Sequence, residues 1–95
     1  MSYRIKYSEK VIKEDFKLIG KKQIKQILLK INKILTATPE KHRDAVKPLK
    51  GNLKGLYRLR SGVYRIIYKI YEKRKEVYIL KVGHIREIYE RFLRK

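Results

Sequence analysis

The chain's 95 residues carry 27 Lys and Arg against nine Asp and Glu, a net charge of +18 that repels itself in the compact state and calls for a polyanionic partner. The length suits one domain, 1–95, with a modest core and an open groove rather than a deep cavity. With no cysteine, disulfides, thiol nucleophiles and cysteine-based zinc sites are excluded. The two isolated histidines, His42 and His84, lack metal-ligand spacing, so neither metal nor small-molecule cofactor is expected. No apolar run reaches the roughly 18 residues that cross a bilayer, and residues 1–10 lack the apolar centre of a secretory leader. A soluble, cytoplasmic protein without membrane contact is therefore expected.

Nucleic acid is the obvious polyanion, although an acidic membrane surface or an acidic protein would satisfy the same electrostatics. Residue type sharpens the choice. Residues 1–40 hold ten basic residues, of which Arg4 is the single arginine. Residues 41–95 hold seventeen, including Arg43, Arg58, Arg60, Arg65, Arg74, Arg86, Arg91 and Arg94. A guanidinium fork grips a phosphate through two donors, whereas a lysine acts as a flexible point charge. The back half thus reads as the anion-holding part and the front half as a solvated scaffold.

In chain order, Tyr3 to Tyr7 alternates apolar and basic residues, which predicts a half-buried strand. Ser8 and Glu9 start a helix whose apolar positions run through Val11, Ile12, Phe16 and Ile19, with Gly20 ending it. From Lys21 to Leu35, Ile24, Ile27, Leu28, Ile31, Ile34 and Leu35 fall at helical spacing and form a core-facing stripe. Thr36 to Gly55 contains both prolines and reads as a connection, with Lys47 to Gly51 a turn leading into a sheet. Leu56–Arg60 and Val63–Tyr71 read as strands joined at Ser61-Gly62, and Glu76–Val82 as a third strand after a charged turn. Ile85–Leu93 completes the chain as a short helix. The order β-α-α-β-β-β-α predicts an α+β fold, a small antiparallel-rich sheet with the helical hairpin on one face.

Arginines and tyrosines interleave from Leu56 to Tyr68. Arg58 and Arg60 share one face of their strand, and Arg65 follows just beyond the hairpin. Guanidinium groups for phosphate and rings for unpaired bases favour single-stranded RNA. Tyr64 and Tyr68 are expected in the core. His84, just after the last strand, has a side chain suited to proton transfer, with Glu87 and Tyr89 nearby.

Three stretches carry a resemblance: Lys47-Pro48-Leu49-Lys50-Gly51; Gly55-Leu56-Tyr57-Arg58-Leu59-Arg60 with Gly62-Val63-Tyr64-Arg65-Ile66-Ile67-Tyr68; and Val82-Gly83-His84 through Tyr89. Together they resemble the RelE/ParE toxin superfamily, whose element order spans the whole chain while the specific matches fall within residues 47–89. The resemblance implies a RelE-like toxin of a type II toxin-antitoxin system, an endoribonuclease (mRNA interferase) that cuts mRNA on the ribosome and blocks translation. Cleavage in such toxins uses the ribose 2′-OH against the adjacent phosphate and needs no metal. By position, Arg58, Arg65, Arg86, His84 and Tyr89 would be the catalytic set. Lys50, Lys54, Arg60 and Lys81 would bind RNA, and a cognate acidic antitoxin would bring an amphipathic helix to the basic surface. Many relatives have an arginine directly after the Gly-His pair; here Ile85 stands there and Arg86 follows. ParE-like relatives that inhibit DNA gyrase by binding share the fold, and an inactive nucleic-acid-binding relative is the third reading.

Overall fold

The computed structural model describes residues 2–90. Strand β1 (Arg4–Tyr7) leads into helix α1 (Glu9–Lys13), a 3-10 turn (Asp15–Leu18) and helix α2 (Lys21–Lys30), which runs on as a π-helical turn through Ile31–Leu35. Strands β2 (Val46–Pro48), β3 (Leu56–Ser61), β4 (Tyr64–Tyr71) and β5 (Glu76–His84) follow, then helix α3 (Ile85–Ile88). The five strands lie in the order β1-β5-β4-β3-β2. All neighbours are antiparallel except β1, which is parallel to β5.

That topology accounts for the helices. β1 and β2 form opposite edges of the sheet, so the segment between them must cross its whole width. Ile27, Ile31, Ile34 and Leu35 turn inward along this crossing and pack on Leu59, Ile66, Tyr68, Val77, Ile79 and Val82. Their burial is the main source of stability, at about 1.5–3 kcal/mol for each large apolar side chain. Tyr68 is wholly enclosed, and its hydroxyl donates to the Pro39 carbonyl at 2.6 Å. Desolvation there, reinforced by Tyr57, pushes its phenol far above the ordinary range, so it stays a neutral donor.

Several expected boundaries move. The first helix stops at Lys13, and Gly20 caps the start of α2 rather than ending its predecessor. The break lets Phe16 turn in against Tyr7, with ring centroids 6.1 Å apart. Val46–Pro48, expected within a connection, forms an edge strand on β3, where proline's missing N–H is tolerated. The hairpin turns on Gly62-Val63, because Ser61 still pairs with Tyr64 and Gly62 adopts φ +60° at the first turn position. α3 spans Ile85–Ile88; the rest of the expected helix, from residue 91 onward, lies outside the described residues.

β5 is longer than its pattern suggests because of a register shift. Tyr68 pairs with Ile79 but Ile67 with Lys81, leaving Leu80 as an extra residue. The bulge changes the parity of the strand. Val77 and Ile79 face the helices before it, and Val82 does so after it. Without the extra residue Val82 and Gly83 would exchange faces.

Beyond Ile79, β1 no longer covers the edge of β5. Asp15, only 3% exposed, fills the gap: it accepts from the Val82 backbone N–H and from the Lys81 ammonium, both at 3.0 Å. Asp15→Ala leaves that N–H and a partly buried cation unpaired, a loss of about 3 kcal/mol. Urea denaturation should show a clearly lower midpoint with an unchanged slope.

Candidate nucleic-acid interface

With the helices on one face, strand alternation assigns the other to the remaining side chains. Leu59 points into the core, so Arg58 and Arg60 point away from it. Arg65 is the direct cross-strand partner of Arg60, and Lys47 of Arg58. Like charges facing each other across a ladder are destabilising, and only the more distant charge of Asp44 opposes this at Arg58 among the described residues. Among the described residues no carboxylate forms an ion pair with Arg58, Arg60 or Arg65.

Backbone oxygens hold the guanidiniums instead. Arg58 Nη1 donates to the carbonyls of Asp44 and Ala45 at 3.1 and 3.0 Å, and Arg65 Nη1 donates to those of Gly62 and Tyr64, both at 2.9 Å. Each side chain is anchored through one nitrogen, and neither forms an ion pair among the described residues. Desolvation, then repulsion from Arg60, lowers the pKa of Arg58, with Asp44 opposing. Desolvation, then Arg58 and Arg60, lowers that of Arg65. Both remain ionised at neutral pH, given arginine's very high intrinsic value, and an incoming phosphate would relieve the repulsion.

α3 closes one end of this face. Arg65 pairs with Gly83, whose missing side chain leaves room for Ile88: a Cβ there would lie 3.1 Å from the Ile88 Cδ1. The Ile85 N–H donates to the hairpin carbonyl of Val63 at 2.7 Å, tying the helix to the turn beside Arg65. Arg86 and Tyr89 are exposed on this short helix. His84, Arg86, Glu87 and Glu90 line a groove of about 480 Å³, so carboxylates share the surroundings of Arg86.

His84 has a different setting from the arginines. It pairs with Tyr64, whose ring it meets edge-on at 6.1 Å, and so lies on the side of β5 opposite to Gly83 and Arg65. Its Nδ1 accepts from the Arg86 N–H at 3.1 Å, making His84 the N-cap of α3. An accepting Nδ1 leaves the proton on Nε2, so the neutral ring has no lone pair there to act as a base.

The other residues singled out from sequence are dispersed. Lys50 and Lys54 flank the turn before β3, at the opposite end of that strand from Arg60. Lys81 is held by Asp15. The hairpin tyrosines do not share the arginine face: Tyr64 and Tyr68 take the core positions expected of them, and Tyr57 stacks on Tyr68 at 5.8 Å and packs against the core as well. Strand alternation forces this, because an alternating Arg-Tyr pattern sends the two types to opposite sides. Tyr89, 56% exposed, follows α3 directly after Ile88. Sequence reasoning missed Lys47, read as part of a turn, and Lys30, read as solvated helix surface. Lys47 alternating with Val46 was a usable signal; nothing local marked Lys30.

The fold is an α+β sheet with helices packed on one face and a cluster of three arginines on the other. The profile of the ParE toxin of type II toxin-antitoxin systems (parDE) matches residues 5–89, and the chain belongs to that family, within the RelE/ParE superfamily. Toxin RelG of Mycobacterium tuberculosis (strain ATCC 25618 / H37Rv) is 42% identical over 45 residues, 47% of this chain and 52% of RelG. That match spans about half the length of RelG. Among solved structures, the archaeal RelE-RelB complex from Pyrococcus horikoshii OT3 contains a chain 33% identical with TM-score 0.70, covering 88% of this chain and 96% of that one. The toxin-antitoxin complex RelBE2 of M. tuberculosis contains one 26% identical with TM-score 0.70, covering 88% and 99%. Among the described residues no helix is long and apolar enough to cross a membrane.

The capping geometry separates two roles for His84. Asparagine caps a helix as well as histidine does here, so His84→Asn should keep thermal stability within about 0.5 kcal/mol, while His84→Ala should lose about 1 kcal/mol. A chemical melt of the two variants measures the difference directly.

Proposed function

We propose that this chain is the toxin of a toxin-antitoxin pair and acts as an endoribonuclease on mRNA engaged with the ribosome. The observation that carries this reading is the set of three arginines on one sheet face, two fixed by backbone carbonyls and none in an ion pair with a carboxylate among the described residues. Single-stranded RNA lies across that face with a phosphate between Arg58 and Arg65. The ribose 2′-oxygen loses its proton and attacks the adjacent phosphorus, and the bond to the 5′-oxygen breaks. The leaving oxygen takes up a proton, yielding a 2′,3′-cyclic phosphate and a 5′-hydroxyl; no metal takes part in this route. Arg65 and Arg58 oppose the charge that builds on the phosphate, a contribution of about 3–4 kcal/mol per well-placed donor.

Proton transfer is assigned to the α3 end of the face. Tyr89 presents an exposed hydroxyl beside Ile88, which packs over Gly83 opposite Arg65. His84 can take part after giving up its cap to Arg86, and Arg86 contributes a cation tempered by Glu87 and Glu90. Lys50, Lys54 and Arg60 hold the flanking strand and ribosomal RNA as exposed cations, and Lys81 follows only if Asp15 releases it. The neutralising partner is an acidic antitoxin whose amphipathic helix covers the basic surface, complementary to the charge of +18. The toxin works in the cytoplasm, where its target is.

A second reading, inhibition of DNA gyrase by binding, draws on the ParE profile and on the capped state of His84. Induction in a bacterial host followed by primer extension on a translated mRNA separates the two. The nuclease gives growth arrest with codon-phased cuts; arrest with DNA damage signalling and intact mRNA assigns gyrase. Arg65→Ala should lower the cutting rate by about a hundredfold or more with the fold intact by circular dichroism. Undiminished cutting would remove Arg65 from the site, and equal cutting of RNA without ribosomes would remove the ribosome from the mechanism.

A further inference from the structure

A second groove, on the helix side of the β2–β3 edge, is not used by the chemistry above. It measures about 370 Å³ and is lined by Gln26, Leu29, Lys30, Lys33, Ile34 and His42. Its floor is apolar, with Leu29 62% exposed at the surface although it sits on a helix whose other face builds the core. Its charged lining is Lys30 and Lys33, with no carboxylate among the six. The His42 ring is held at one wall by the Thr38 hydroxyl, 3.2 Å from Nδ1.

The groove is physically continuous with the arginine face. Its His42 wall begins the loop 42–45, which closes on itself through Ala45 and Val46 N–H groups donating to the His42 carbonyl. The far side of the same loop supplies the carbonyls of Asp44 and Ala45 that hold Arg58, and the Ala45 carbonyl also accepts from the Arg60 N–H. Lys30 lies within the field of Arg60 and Arg65: desolvation first, and then those two charges, lower its pKa. Basic side chains therefore stand on both sides of this loop, Lys30 and Lys33 at the groove and Arg58, Arg60 and Arg65 on the sheet face, with the exposed Asp44 on the loop itself.

We infer that this groove is a flanking-nucleotide subsite, in which Lys30 and Lys33 hold phosphates of a single RNA strand while a base lies on Leu29 and Ile34 beside the His42 ring. The inference rests on the RNA-cutting reading and extends it by giving the path of the strand beyond the scissile phosphate. Charge complementarity favours this occupant: a phosphodiester chain satisfies lysines at both the groove and the adjoining arginines, and a base covers the apolar floor. Stacking and phosphate contacts of this kind are insensitive to sequence, so the subsite would set affinity and strand length rather than codon choice.

The test compares single-stranded RNA of about four and about twelve nucleotides, lengths within the usual range of single-strand site sizes, by fluorescence anisotropy on the full chain. Lys30→Gln/Lys33→Gln should weaken the longer strand about tenfold and the shorter one by much less. It should also flatten the dependence of log affinity on log salt for the longer strand by about 1.4, two phosphates at roughly 0.7 each. His42→Ala should weaken the longer strand selectively without changing that slope. Equal losses on both strands would overturn the subsite, since the lysines would then act only as a diffuse field. An unchanged long-strand affinity that falls with Arg58→Ala or Arg65→Ala would overturn the subsite while keeping the arginine face. If the double variant instead loses only an acidic amphipathic peptide, the groove belongs to a protein partner and the inference fails. Absence of RNA binding by the unmodified chain, with gyrase inhibited, would overturn the nuclease reading itself.

Discussion

The organising constraint is the pairing of the first strand with the last. β1 runs parallel to β5 at one edge, and the chain must then reach β2 at the other edge before the antiparallel meander begins. Parallel neighbours cannot be joined by a tight turn, and the helical segment makes the traverse from the β1 edge to the β2 edge. It covers one face of the sheet and leaves Arg58, Arg60 and Arg65 on the other, around the buried Ile67. Every later feature depends on that asymmetry, because side chains on alternating positions then meet either an apolar core or water.

Charge follows the same division. At the β1 end, the buried Glu76 collects Arg4, Lys6 and Arg74, while Glu72 pairs with Lys75 and accepts from the Tyr3 hydroxyl. Arg74 and Lys69 also lie over the Tyr71 ring. At the hairpin end, Arg58 and Arg65 are held by carbonyl oxygens, with no ion pair among the described residues. A carbonyl orients a guanidinium through a hydrogen bond but cannot cancel its charge, so the unspent positive potential concentrates there. The result is a cluster of oriented cations whose mutual repulsion is supported by the packing beneath it.

The same economy of elements links stability to the site. Asp15 closes the exposed end of β5, immediately before the residues that set α3 against Arg65. His84 both ends β5 and caps α3, with Gly83 admitting Ile88 behind it. A change at this corner therefore shifts Arg86 and Tyr89 together, and fold and chemistry are hard to separate there by single truncations.

From sequence alone, the net charge, the α2 stripe, the β1 alternation and the Arg58/Arg60/Arg65 pattern were legible. Each is a local property: charge is additive, and the periods of helix and strand are set by backbone geometry. Helix 21–35, the core positions of Tyr64 and Tyr68 and the α+β class all follow from it. Four features were decided only by tertiary structure. The Leu80 bulge changes the parity of β5, and a ladder register has no signature in one strand read by itself. Edge pairing turned the Val46–Pro48 connection into a strand and brought Lys47 opposite Arg58. Lys81 was drawn to Asp15 from 66 residues away. His84, chosen for its chemistry, became a helix cap, because the chain turns immediately after it and the nearest unpaired N–H is that of Arg86. Composition and period determine which residues can face an anion; only the packed chain determines which of them remain unpaired to do so.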